Sequence, residues 1–129
     1  MTVVVAYLPT PAGEAAFTAG LAESERRNEP LVLVNSPHTG APISNTLADE
    51  PTLARLRERA TEHNVELDVR LDGHTDDLVD KLLSIADEVD ASVIVIGLRH
   101  RTAVGKLLMG SNAQRILLHT VRPVLAVKA

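Results

Sequence analysis

Apolar and polar residues alternate along the chain with two different periods, and the two periods predict nine secondary-structure elements. Short runs rich in β-branched residues predict buried strands at 3–6, 31–34, 92–96 and 123–127. Residues 65–71 alternate apolar and charged side chains, which is typical of a strand with one face in water at the edge of a sheet. Helical spacing and capping signals predict helices from Pro11 to Arg27, from Pro51 to about His63, from Thr75 to Val89 and from Ser111 through Leu118.

The regular alternation of strands and helices predicts the fold class. Parallel strands joined by helices require right-handed crossovers. We therefore expect an α/β fold with a five-stranded parallel sheet in the order 3-2-1-4-5, helices on both faces, and a single domain over residues 1–129. In this order, strands one and four meet where the connections change direction, and ligands bind beyond the carboxyl ends of strands at such a point. Residues 7–10 and 97–111 should face one crevice there, with Tyr7 lining it.

The composition excludes several classes of protein. Apolar residues make up 45% and charged residues 23%, as in ordinary globular domains. The absence of cysteine excludes disulfides, thiolate zinc sites and thiol catalysis. It also fits a reducing compartment, and the N-terminus lacks the basic segment of a signal peptide, so we expect a cytoplasmic protein. Short apolar runs predict no membrane span, and two aromatic residues offer no stacking platform for single-stranded nucleic acid.

The net charge of −4 hides an asymmetry between two parts of the chain. Residues 1–90 contain 17 acidic and 7 basic side chains, whereas residues 91–129 contain 6 basic side chains and no acidic one. A stretch without carboxylates attracts anions. Ordinary solvated arginine and lysine side chains are the alternative explanation.

A glycine-bounded basic segment follows the predicted fourth strand. Gly97 is predicted to end that strand, and Gly110 and Ser111 open the last helix. Glycine allows main-chain amides to approach an anion closely, and a helix start offers unpaired amides and a positive dipole end. The segment is therefore a candidate phosphate site, with an ordinary strand–helix loop as the alternative. Neither the dinucleotide fingerprint nor the P-loop motif is present.

The same segment resembles the nucleotide motif of the universal stress protein family, which is Gly, two residues, Gly, nine residues, then Gly-Ser or Gly-Thr. Gly97 matches the first glycine, and Gly110 with Ser111 match the final pair. His100 takes the place of the middle glycine, and Leu8 takes the place of an aspartate that ATP-binding members carry after strand one. The resemblance extends over the whole chain and is carried by IVIGLRHR at 94–101, KLLMGS at 106–111 and PVLAV at 123–127.

The resemblance implies a Rossmann-like fold of the adenine-nucleotide α-hydrolase type that binds ATP or another adenine nucleotide such as AMP. The chain would then be a regulatory protein of the stress response, without catalytic residues. The candidate binding residues are Val34, Gly97, Arg99, His100, Arg101, Gly110, Ser111 and Asn112. Scattered histidines show no metal-ligand spacing, so we predict no metal site.

Two other functions compete with nucleotide-binding regulation. His100 and Leu8 favour a family member that has lost the nucleotide and acts as a dimeric protein–protein interaction module with an unidentified regulatory partner. A weak ATPase is the third hypothesis. Under either of the first two we expect a homodimer, because strand five is apolar on both faces and lies at a sheet edge, where unpaired main-chain groups need a partner. Its pairing residues are Val124, Leu125, Ala126 and Val127.

Overall fold

A computed structural model describes residues 1–35, 49–71, 78–100, 107–108 and 111–129. Over these residues, six strands and four helices follow one another along the chain. The elements are β1 (Thr2–Ala6), α1 (Pro11–Arg27), β2 (Leu31–Asn35), α2 (Glu50–Glu62), β3 (Leu67–Leu71), α3 (Leu78–Glu88), β4 (Ala91–His100), β5 (Leu107–Leu108), α4 (Ser111–His119) and β6 (Val124–Lys128).

Five of the strands form one parallel sheet in the order β3-β2-β1-β4-β6. This confirms the predicted 3-2-1-4-5 order, with β6 as the fifth parallel strand. The alternating strand β3 lies at one edge, as its pattern predicted. The two-residue strand β5 was not predicted, and it pairs antiparallel with the end of β4.

The fourth strand is longer than the sequence pattern predicted. Gly97 was expected to end it, but β4 continues to His100 and Gly97 lies inside it, opposite Val127 of β6. The prediction was wrong because strands β5 and β6 supply pairing partners for β4 beyond the end of β1. A pattern read along one segment does not contain those partners.

Each face of the sheet is covered by two helices, because successive strand residues point to opposite faces. Val3 and Val5 of β1 pack on one face with residues of α1 and α2, including Phe17 and Leu56. Val4 packs on the other face, in a cluster that contains four residues of α3 and one of α4. The predicted arrangement of helices on both faces is confirmed.

Side-chain caps set the starts of α1 and α2. Thr10 accepts a hydrogen bond from the Gly13 amide at 3.1 Å, as expected of an N-cap before a proline. Helix α2 begins at Glu50, one residue before the predicted start, because Asp49 accepts from the Thr52 amide at 2.9 Å. This hydrogen bond lowers the pKa of the Asp49 carboxyl. In the part of the chain that the structure describes, no helix is long and apolar enough to cross a bilayer.

Candidate functional site

The candidate site lies at the carboxyl edge of the sheet, between β1 and β4. The chain leaves β1 toward β2 on one side and leaves β4 toward β6 on the other, so the connections diverge there. The last paired residues of the two strands are Val5 and Val95, and β4 then continues past the end of β1 to His100, paired with β6 and β5. This is the topological switch point at which doubly wound folds bind their ligands.

The segment that follows β1 is held tightly by its neighbours. The Tyr7 amide donates to the Val34 carbonyl at 2.9 Å, and the Thr10 amide donates to the Leu8 carbonyl at 2.7 Å. The start of α1 lies so close that a Cβ atom at Gly13 would overlap the Leu8 carbonyl oxygen. The wall that β1 contributes to the crevice is therefore fixed by main-chain contacts.

Tyr7 does not line the crevice with its side chain, contrary to expectation. The side chain is 2% exposed and belongs to the core between the sheet and helices α1 and α2. Its ring meets Phe17 edge to face at 6.5 Å, and its hydroxyl donates to Glu14 Oε2 at 3.1 Å. Glu14 also pairs with Arg55 of α2. Burial, followed by the adjacent Glu14 carboxylate, raises the pKa of Tyr7 to about 12.

The end of β2 lies beside the same segment. Val34 is 2% exposed, and its side chain belongs to the core on the α3 and α4 face. The next residue, Asn35, is completely buried, and its side-chain amide donates to the Tyr7 carbonyl at 2.9 Å. The sequence reading missed Asn35. The available signal was an amide placed directly after the apolar run LVLV, at the end of a strand buried on both faces.

Gly97 has a packing role that the sequence did not reveal. A Cβ atom built on Gly97 would overlap the carbonyl oxygen of Ala12 in the first turn of α1. The missing side chain therefore lets the start of α1 approach β4 beside the crevice. This contact accounts for the glycine independently of any ligand.

The other predicted site residues belong to one strand–helix unit, whereas Val34 lies two strands away on β2. The backbone of Arg99 and His100 forms the end of β4 and pairs with β5. Ser111 begins α4, and Asn112 is half-buried in its first turn. Arg101 and Gly110 lie outside the residues that the structure describes.

The start of α4 is electrostatically suited to an anion. The first amides of a helix have no intrahelical acceptor and carry the positive end of the helix dipole. The first turn of α4 contains no acidic residue, whereas that of α1 contains Glu14 and that of α2 contains Glu50. A phosphate or carboxylate ligand would meet no like charge from this turn.

Fold and site together define a doubly wound α/β protein with a candidate ligand site at its switch point. The chain belongs to the universal stress protein family, whose model matches residues 1–128. A universal stress protein of Mycolicibacterium smegmatis is 37% identical over 126 residues, covering 98% of this chain and 96% of the relative.

Solved structures of the family have the same fold. The universal stress protein from Archaeoglobus fulgidus superimposes with a TM-score of 0.80 at 28% identity, covering 99% of this chain and 98% of that one. A universal stress protein solved in complex with cAMP superimposes with a TM-score of 0.68 at 25% identity, covering 99% of this chain and 96% of that one.

Proposed function

We propose that this chain binds an adenine nucleotide, ATP or AMP, in the crevice between β1 and β4. It acts as a cytoplasmic regulatory protein of the stress response. The bound nucleotide is a regulatory ligand and is not hydrolysed. The phosphates are held by residues 97–111, and the nucleoside extends across the switch point toward the end of β1.

The observation that supports this proposal best is the position of the β4–α4 unit. The end of β4 lies at the switch point, next to the tightly held end of β1, and α4 begins on the same edge of the sheet. The helix start favours an anion, and residues 91–129 contain no carboxylate side chain to oppose one. The cAMP complex of a related universal stress protein is consistent with an adenine nucleotide as the ligand.

Binding is tested directly by calorimetry and thermal shift with ATP, AMP, cAMP and inorganic phosphate. Arg101→Ala should weaken ATP binding about tenfold or more, because a hydrogen bond to a charged group contributes about 1.5–3 kcal/mol. Arg57→Ala, an exposed arginine on α2, is the matched control and should bind as the wild type does. Equal affinities of Arg101→Ala and the wild type would remove Arg101 from the site.

Regulation and turnover are separated by measuring phosphate release. A protein that binds ATP and releases no phosphate above the uncatalysed rate agrees with a regulatory role. Release that saturates with ATP and disappears with Arg101→Ala would instead identify the chain as an ATPase.

The second candidate function is a dimeric interaction module that does not bind nucleotide. His100 and Leu8 favour it because both depart from the family's nucleotide motif. Strand β6 also favours dimerisation, since it pairs with β4 on one side and with no other strand that the structure describes. Leu125 and Val127 pack against the core, and Ala126 is exposed.

We infer a homodimer in which the β6 strands of two copies pair antiparallel about a two-fold axis. Such pairing gives hydrogen-bond partners to the main-chain N–H and C=O groups at the outer edge of β6. It brings together the two copies of the segment formed by Val124, Leu125, Ala126 and Val127. Light scattering coupled to gel filtration should then give twice the 13.8 kDa of one chain. Ala126→Glu should dissociate the dimer by placing like charges near the axis, whereas Ala22→Glu on the exposed face of α1 should not. A wild-type monomer at micromolar concentration contradicts the dimer.

A further inference from the structure

Asn35 joins the ends of β1 and β2 through its side chain. The paired residues of the two strands end with Ala6 and Val34, after which the Tyr7 amide donates to the Val34 carbonyl. The Tyr7 carbonyl then accepts from Asn35 Nδ2 at 2.9 Å. The bonding between the strands is thus extended by a buried side chain.

This hydrogen bond acts on the residue that precedes Leu8. The Tyr7 carbonyl belongs to the peptide group that joins Tyr7 to Leu8, so Asn35 holds that peptide from the β2 side. From the other side, the Leu8 carbonyl accepts from the Thr10 amide and lies against Gly13. Leu8 is therefore held between β2 and the start of α1, at the edge of the sheet that borders the crevice.

We propose that Asn35 is a positioning residue for the nucleoside part of the ligand. The inference rests on the proposed nucleotide binding and assigns a residue to the end of the crevice that does not hold phosphate. A ligand with its phosphates at the β4–α4 unit has β1 as the next strand across the switch point. By fixing the peptide between Tyr7 and Leu8, Asn35 keeps that wall in one position for the sugar and base.

The test compares affinities for ATP and for inorganic tripolyphosphate, which carries the same phosphate chain without a nucleoside. Asn35→Ala should raise the Kd for ATP about tenfold and leave the Kd for tripolyphosphate unchanged, because one positioning hydrogen bond is lost only at the nucleoside end. Ser92→Ala is the matched control. The Ser92 hydroxyl is buried at the amino end of β4 and hydrogen-bonds to Glu29 and to the Thr2 carbonyl, so this variant should change neither Kd.

Asn35→Gln provides a second variant if Asn35→Ala does not fold. It keeps the amide but displaces it from the Tyr7 carbonyl by one methylene, so the same selective loss is expected. The inference is overturned if the Asn35 variants bind both ligands as the wild type does, or lose both equally. It is also overturned if wild-type protein binds ATP no more tightly than tripolyphosphate.

The proposed function and this inference fail in different ways. Wild-type protein that binds neither ligand contradicts nucleotide binding itself, and the role of Asn35 falls with it. Wild-type protein that binds ATP selectively, together with Asn35 variants that do not lose this selectivity, contradicts the role of Asn35 alone.

Discussion

Replacing Tyr7 with phenylalanine should remove a pH-dependent part of the stability. Tyr7 is the only tyrosine, and the chain has no tryptophan. Tyr7→Phe keeps the ring that packs against Phe17 and deletes the hydroxyl that donates to Glu14. Arg55 still pairs with Glu14 in the variant, so the carboxylate is not left alone.

The size of the effect follows from the pKa of Tyr7. The folded protein raises this pKa from 10.0 to about 12, chiefly by burial and then by the Glu14 carboxylate. The folded state therefore keeps the proton where the unfolded state has lost it, and stability falls as the pH rises from about 10 to about 12. Two pKa units correspond to about 3 kcal/mol. Below pH 10 this contribution is complete, and above the folded pKa it is lost.

Two measurements test this reasoning. The ultraviolet absorbance of tyrosinate should show one transition near pH 12 in the native protein and one near pH 10 in urea. Urea unfolding should find that the free energy of unfolding of the wild type, relative to that of Tyr7→Phe, is constant below about pH 10 and falls by about 3 kcal/mol between about pH 10 and 12. Subtracting the variant removes the contributions of lysines and other groups that titrate in both proteins. A native transition near pH 10, or a difference that does not change with pH, would refute the argument.

Three further predictions concern the crevice and the start of α1. Gly97→Ala should destabilise the protein by about 1–3 kcal/mol in urea unfolding, because its Cβ collides with the Ala12 main chain; a neutral variant would contradict the contact. Thr10→Ala should cost about 1 kcal/mol through loss of the N-cap, and thermal unfolding at unchanged pH measures this. If the nucleotide binds as proposed, ATP and GTP should bind within about tenfold of each other, because Leu8 would offer the base only apolar contact. Calorimetry that shows a hundredfold preference for ATP would mean that another group recognises adenine.

The elements and their order were predictable because their signals are local. Thr10 and Pro11 indicated the start of α1, and the alternating charges of 65–71 indicated an edge strand, which is where β3 lies. The regular alternation of strands and helices, with right-handed crossovers, led to the parallel sheet. The spacing from Gly97 to Ser111 and the helix start are also properties of one continuous segment, and the nucleotide site inferred from them stays a prediction.

Only the tertiary structure decided what these residues contact. The length of β4 depends on its pairing with β5 and β6. Gly97 has to lack a side chain because the Ala12 carbonyl of α1 occupies the space of a Cβ atom. The Asn35 side-chain amide donates to the Tyr7 carbonyl. The partners of Gly97 and Asn35 are far away in the sequence and reach them only after the sheet has assembled. Periodicity reports which way a side chain points relative to its neighbours along the chain. It does not identify which atom of another element will be there, and that is decided by the packing of helices on the sheet.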